Sequence, residues 1–420
     1  MDINKLLSGG KCACGKIHSC DIKYVYIERD AYKRFEKICG DYRKILLVAD
    51  ENTFKAAGEQ VERALCGKDV RRVIFPGDTI LIPDERAVSE VEKNLDGIDF
   101  IIAIGSGVLQ DICKFASHEK NIPYAVAATA PSMDGYASSG AAMIYKGMKV
   151  TFPAGVPVAI VADTQVLKNA PEEMIKAGYG DIIGKYSALN DWKLSREVNN
   201  EYFCGYIYDM TYKMIEKTLS LTDGILSGNE ESIGVLMEAL VVVGILMSFA
   251  GSSRPASGSE HHLSHFFEIT GILGKQDYLP HGIDVAYSTY ITAKIREKIL
   301  SGSFKSDPYC TCMPEEEIRK MYGSISEECI SLQKKTGNYA KDRCVIYKEK
   351  ESLIREILGE MPSSEKIKEI LEKAELYIDD FYKMYGAQRI KNAVKYAKDL
   401  KDRYTVLWMN YDLYGGEFDE

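Results

Sequence analysis

Along the first part of the chain, short continuous apolar runs alternate with segments whose apolar residues recur every three or four positions. Tyr24–Glu28, Ile45–Ala49, Val73–Phe75, Phe100–Ile104, Tyr124–Ala128 and Val158–Ala162 are rich in β-branched residues and bounded by turn formers, which predicts strands. Thr53–Cys66, Ala87–Asn94 and Leu109–Glu119 carry helical spacing between them. Apolar strands separated by helices imply a parallel sheet covered on both faces. After about residue 165 strand-like runs almost vanish. Gly184–Glu197, Cys204–Ser220, Ile233–Ala250 and Gly282–Leu300 predict long helices, and the chain from about Tyr347 is charged and helical. The expected architecture is an α/β nucleotide-binding domain over residues 1–165, followed by an all-helical domain over 166–420.

One apolar stretch, Ile233–Gly251, is about long enough to cross a bilayer. It carries Glu238 near its middle, runs straight into the polar segment SSRPASGSEHH, and has no second such stretch beside it. A core helix is therefore expected, with no membrane span. At 420 residues, 46% hydrophobic and 27% charged, the chain suits a soluble protein of two or three domains. A formal net charge of -9 argues against nucleic acid and anionic membrane as partners, but leaves room for an anionic small substrate in a locally positive pocket. The N-terminal stretch Met1–Lys11 lacks the apolar core of a secretory signal. Eleven scattered cysteines, an odd number, favour a reducing, cytoplasmic setting over a disulfide framework.

The chemistry gathers at the ends of predicted elements. Strand Phe100–Ile104 runs into Gly105-Ser106-Gly107-Val108-Leu109, where glycines at a strand-to-helix turn would let phosphate oxygens approach free amides. The spacing falls short of G-x-G-x-x-G, and a plain tight turn explains it equally well. A second polar turn, Thr129-Ala130-Pro131-Ser132-Met133-Asp134-Gly135, follows the next strand, and the two turns should share one crevice. Asp50, after strand Ile45–Ala49, is placed either to accept from a ribose or to cap the helix that follows.

Four of the six histidines fall within 21 positions: His261, His262, His265 and His281. His261 and His265 are four apart and share a helix face, while His262 points about a quarter turn away. His281 opens the next helix. Imidazoles from two elements suit a divalent transition metal, and Asp181 is the natural carboxylate to complete the set, its other reading being a helix N-cap.

Taken together, GSGVLQDICKFAS, ATAPSMDGYASSGAAM, AGYGDIIGKYSALNDW, SRPASGSEHHLSH and LPHG resemble the iron-containing alcohol dehydrogenase superfamily, and within it the sn-glycerol-1-phosphate dehydrogenases. The SMDGY and SRPASGSEH pieces are the specific ones. The resemblance implies Asp181, His261 and His281 as ligands of one divalent ion (zinc, nickel or iron), with His265 and Asp134 on the substrate side. It implies Gly105 to Leu109, Thr129, Ala130, Pro131, Ser132 and Ser138 as contacts of NAD(H) or NADP(H). The implied reaction is reversible reduction of a phosphorylated triose, dihydroxyacetone phosphate, to sn-glycerol 1-phosphate, in phospholipid biosynthesis; a homo-oligomer is compatible with it. The sheet domain would carry the cofactor and the helical domain the metal.

Rival readings are a glycerol or polyol dehydrogenase of the same fold, a dehydroquinate-synthase-like lyase, and a metal or nucleotide sensor without turnover. A basic residue such as Arg254 or Lys185 at the pocket would favour the phosphorylated substrate. Two segments stand apart from the resemblance. One is a helical extension from about Cys310. The other is the N-terminal run containing Cys12, Cys14, His18 and Cys20, which is either a structural zinc site or an ordinary exposed hairpin.

Overall fold

The computed structural model describes residues 2–145, 148–304, 307–309 and 312–418; Cys310, where the predicted extension begins, lies outside them. The described strands are β1 (Gly10–Lys11), β2 (Ile17–His18), β3 (Tyr24–Glu28), β4 (Lys44–Asp50), β5 (Asp69–Phe75), β6 (Phe100–Gly105), β7 (Tyr124–Ala128), β8 (Gly140–Tyr145), β9 (Met148–Pro153) and β10 (Ala159–Asp163). Six of them form one wholly parallel sheet in the order β3-β10-β7-β6-β4-β5. β6, β7 and β10 are buried at every position, as central strands covered on both faces must be. β5 is an edge strand, and its first four residues Asp69, Val70, Arg71 and Arg72 are exposed or half-buried. That polarity is why only Val73–Phe75 reads as strand in the sequence.

Two antiparallel hairpins complete the strands: β1–β2 is the hairpin that the N-terminal run offered as one reading, without strand bounds, and β8–β9 is absent from the sequence reading. β1 and β2 have two residues each, too short to leave a periodic signal. In β8 the buried positions are Ala141 and Met143, neither of them β-branched.

The long helices are α1 (Gly107–Lys120), α2 (Glu172–Asn199), α3 (Gly205–Ser220), α4 (Glu230–Ala250), α5 (Ser259–Gly274), α6 (His281–Ser301) and α7 (Ile378–Tyr396), the last kinked at Gly386. By contacts the chain divides into two compact units that interleave along the sequence, where one boundary at 165/166 is expected: residues 2–179 with Glu216–Ser253, and Gly180–Ile215 with residues 254–418.

The first unit holds the sheet. Ala31, Phe35, Leu47, Ile102 and Val161 belong to the buried cluster that fills its core. α4 explains why the first unit takes in residues 216–253. Among the described residues it is the one helix apolar and long enough to cross a membrane, and 78% of its apolar window is buried inside the protein. It packs on the short turn Asp134–Ala137, so closely that a Cβ on Gly244 would lie 2.7 Å from the Asp134 carbonyl oxygen.

In the second unit α5 and α6 pack side by side, and α2 closes on α6. α2 begins at Glu172, not at Asp181 or Gly184, so Gly178 and Gly180 lie inside a helix. These glycines look like a flexible break in the sequence. Their structural reason is room: a Cβ on Gly180 would stand 2.4 Å from the Gly282 carbonyl oxygen and 2.8 Å from the Ala286 Cβ. The C-terminal helices form part of the same unit. Tyr385 of α7 donates to the Asp284 carboxylate of α6 (2.7 Å) and accepts from the Leu279 amide (2.9 Å), while Arg389 donates to the Phe267 carbonyl of α5 (2.8 Å). The Tyr385 and Phe267 rings stack at 4.0 Å. The extension thus braces the segment that delivers His281.

Candidate metal centre and cofactor turns

In the first unit, strand order reverses between β4 and β6, the position where open parallel sheets take ligands beyond their carboxyl ends. Asp50 ends β4 and the Gly105–Leu109 turn ends β6. Ser106 caps α1, its Oγ accepting from the Gly107 amide. The first-turn amides of this 14-residue helix therefore open beyond the strand end, as a phosphate site requires. The second turn lies alongside: the Thr129 amide donates to the Gly105 carbonyl (3.2 Å), and the Ser106 and Ser132 hydroxyls are 2.7 Å apart. Ala130, Pro131 and Ser132 are buried, whereas Val108 keeps 36% of its surface exposed at the turn. The glycine and serine turns thus do share one place, and a dinucleotide's phosphates fit the donors there.

Asp50 has a defined structural duty. Its Oδ1 accepts from the Thr53 amide (2.8 Å) and its own amide donates to Thr53 Oγ1 (3.1 Å), a reciprocal capping box. Its place at the end of β4 leaves the ribose role compatible with this duty.

Lys114 went unremarked in the sequence and organises the next turn. Fully buried on α1, its Nζ donates to the carbonyls of Gly135 (3.2 Å) and Gly140 (2.9 Å) and to Ser138 Oγ (3.2 Å). Burial lowers its pKa, while the charges of Asp111 and Asp134 oppose the shift. Ser138 in turn has the Gly135 and Gly140 carbonyls within reach of its single hydroxyl proton (3.0 and 3.2 Å). The sequence signal was a lysine on the inward face of an amphipathic helix, among Leu109, Ile112, Cys113 and Ala116.

The second unit assembles the predicted ligands. Asp181 on α2, His261 in the first turn of α5 and His281 at the start of α6 offer ligand atoms all within 4.8 Å of one another. The His261 Nε2 to Asp181 Oδ1 separation is 3.6 Å. Two ligand atoms about 2.1 Å from a tetrahedral ion lie about 3.4 Å apart, so the spacing suits a bound divalent metal. Asp181 is fully buried, deep inside α2, and is not a helix cap. Burial opposes its charge, but Lys185, His261 and His281 overcome that and hold its carboxyl below the usual carboxylate range. One carboxylate and two imidazoles form a donor set that zinc, nickel and iron all accept.

Neighbours fix the ligands. His261 Nδ1 is 2.7 Å from Glu260 Oε1, which orients the ring so that Nε2 faces Asp181. Glu260 itself stays ionised: burial opposes its charge, but the hydrogen bond and charge of His261 outweigh it. Ser264 Oγ lies 3.3 Å from His281 Nδ1, so Nε2 is the nitrogen that would face an ion. His265 stacks on His281 at 5.6 Å between centroids and stands beside the set without belonging to it. His262 is fully buried and, among the described residues, both ring nitrogens lack a hydrogen-bond partner; burial pushes its pKa well down, so it is a neutral core residue.

The two cations considered for a substrate phosphate are both engaged. Lys185 is fully buried, donating to Asp181 Oδ1 (2.6 Å) and the Ala256 carbonyl (3.1 Å). Arg254 grips Glu201 through two hydrogen bonds (2.7 and 2.6 Å) and donates to the Tyr404 carbonyl (2.6 Å). Neither is a surface side chain.

Residues 26–171 match the family model described as iron-containing alcohol dehydrogenase. A glycerol-1-phosphate dehydrogenase [NAD(P)+] of Geobacillus stearothermophilus is 31% identical over 418 residues, covering 96% of each chain. The corresponding protein of Geobacillus thermodenitrificans is 32% identical, covering 90% of this chain and 88% of its own. The crystal structure of an iron-containing alcohol dehydrogenase from Corynebacterium glutamicum superposes with a TM-score of 0.59, covering 93% of this chain and 94% of the other at 13% identity, a likeness of fold alone.

Proposed function

The chain belongs to the glycerol-1-phosphate dehydrogenase family of iron-containing alcohol dehydrogenases, and we propose that it reduces dihydroxyacetone phosphate to sn-glycerol 1-phosphate with NADH or NADPH. It is an oxidoreductase. The observation that carries the reading is the set of buried Asp181 and His261 with half-buried His281, with ligand atoms within 4.8 Å of one another.

When bound, a divalent ion there acts as Lewis acid on the substrate carbonyl, and the reduced nicotinamide supplies hydride. The chain's own groups do the rest. Glu260 and Ser264 hold the two imidazoles in one tautomer and one orientation. Lys185 balances the Asp181 charge in a buried setting where an unpaired carboxylate would be costly. His265, beside His281, is the group placed to pass a proton to the developing alkoxide. The amides of α1 and the hydroxyls of Ser106 and Ser132 receive the cofactor's phosphates, and Asp134 is assigned to the substrate. The cysteine usage supports a cytoplasmic setting.

The engagement of Arg254 and Lys185 favours a second reading, a glycerol or polyol dehydrogenase acting on an unphosphorylated ketone. Cofactor oxidation with dihydroxyacetone phosphate and with dihydroxyacetone, side by side and followed by chiral analysis of the product, separates the two. A wide preference for the phosphorylated ketone and an sn-1 product are expected. Equal rates on both ketones would leave the polyol reading standing.

A further inference from the structure

We propose that the N-terminal hairpin holds a second divalent metal ion, a structural zinc bound by Cys12, Cys14 and His18. The three ligand atoms lie within 4.8 Å of one another, from residues none of which takes part in the reaction described above. The Cys14 Sγ to His18 Nε2 separation is 3.4 Å. With Zn–S about 2.3 Å and Zn–N about 2.05 Å, a tetrahedral angle sets that edge at about 3.6 Å, so the pair already stands at ligand spacing.

The backbone explains how so short a segment brings them together. β1 and β2 pair antiparallel, with Gly10 opposite His18 and Lys11 opposite Ile17. The Cys12 amide donates to the Lys16 carbonyl (3.0 Å) and the Gly15 amide to the Cys12 carbonyl (3.0 Å), so the loop turns back on Cys12. Gly15, directly after Cys14, has φ +88°, a conformation that glycine adopts without strain and that sharpens the turn around the second thiol. His18 is only 4% exposed on this small hairpin, its ring stacked on Phe249 at 5.0 Å and 18°. That stacking aims Nε2 at Cys14.

Energetics point the same way. A two-stranded hairpin with two residues per strand is marginal in water, and a cross-link between its loop and its second strand would hold it. Two thiolates and an imidazole select zinc over magnesium or calcium. Cys20 belongs to a different environment, its thiol bonded to Ser248 and its pKa raised by burial. The fourth position is left to water or to another cysteine.

The test uses the full chain, stripped of metal under reducing conditions and titrated with Co2+ alone. Wild type should take up about two equivalents and develop a thiolate-to-cobalt charge-transfer band in the near ultraviolet, which an all-nitrogen-and-oxygen catalytic site cannot produce. Cys12→Ser/Cys14→Ser should bind one equivalent without that band, and His281→Ala should bind one equivalent with it. Replacing the remaining cysteines singly, Cys20 and Cys204 included, reads out the fourth ligand. A single equivalent and no thiolate band in wild type would overturn the proposal, as would a band that survives the double cysteine variant. So would a Cys12–Cys14 disulfide persisting in reductant.

Discussion

Replacing Gly180 by alanine adds one methyl group where two helices have no space for it. The new Cβ would stand 2.4 Å from the Gly282 carbonyl oxygen and 2.8 Å from the Ala286 Cβ. Ordinary carbon contacts begin about 3.5 Å, so α2 and α6 must part by roughly 1 Å, or one must tilt. The obstruction is backbone, which cannot swing aside as a side chain would. Inserting a methyl into such a contact costs about 1–3 kcal/mol. For a unit of roughly 150–250 residues each kcal/mol lowers Tm by about 2–4 °C, so a fall of roughly 2–12 °C is expected.

Activity should suffer more than stability, because Gly180 precedes Asp181 and Gly282 follows His281. The displacement therefore enters the metal set directly, and a misplacement of about 1 Å can cost about 10²-fold in rate. Gly205, at the start of α3, is the control: nothing lies within 4 Å of a Cβ there, and its φ is not in the left-handed region. Gly205→Ala should be neutral or stabilising by about 0.4–1 kcal/mol. Melting, metal content and kcat/KM are measured on both variants. If Gly180→Ala matches Gly205→Ala in all three, the close approach of α2 and α6 does not set the metal geometry.

Asp181→Asn, His261→Ala and His281→Ala should each lose the catalytic metal and nearly all turnover, whereas His265→Ala should keep the metal and lose rate; metal analysis of the four decides it, and stoichiometric loss in His265→Ala would make that residue a ligand. Arg254→Ala leaves Glu201 without its guanidinium and should destabilise the protein by roughly 3 kcal/mol while changing kcat/KM for phosphorylated and free ketone alike. A loss confined to the phosphorylated substrate would instead make Arg254 a phosphate contact. Asp50→Ala should lower stability by about 1 kcal/mol through the lost cap, and should weaken NADH more than NADPH if the carboxylate also serves the ribose; equal effects on both cofactors would leave only the cap.

What the chain disclosed about itself followed from how local each signal was. The central strands were legible because burial on both faces leaves continuous apolar runs, and the edge strand β5 was half-legible because Asp69, Arg71 and Arg72 stand exposed in its first half. The histidine cluster was legible because two candidate ligands and the proton-relay candidate sit on adjacent helix ends. Asp181 was legible as a candidate ligand, but its setting inside α2 was not. The paired glycines look like a flexible break, and only the neighbours show why they carry no side chain: the Pro131 carbonyl approaches Gly178 and α6 approaches Gly180. The cations show the same limit from the other side. Arg254 and Lys185 lie near the metal motifs in sequence, which made both candidates for a substrate's phosphate, yet their hydrogen bonds go to Glu201, Tyr404, Asp181 and Ala256. A charged residue's partner is set by burial, since an unpaired cation inside a protein is far more costly than one in water. Lys114 and Lys185 follow that rule on α1 and α2 alike, each buried completely and each satisfied by carbonyl or carboxylate oxygens within its own unit. Sequence proximity to a motif says little about such residues, because groups that claim them come from distant parts of the chain as well as from their own helix: beyond Asp181, Lys185 Nζ reaches a carbonyl 71 positions away, and Arg254 one 150 positions away.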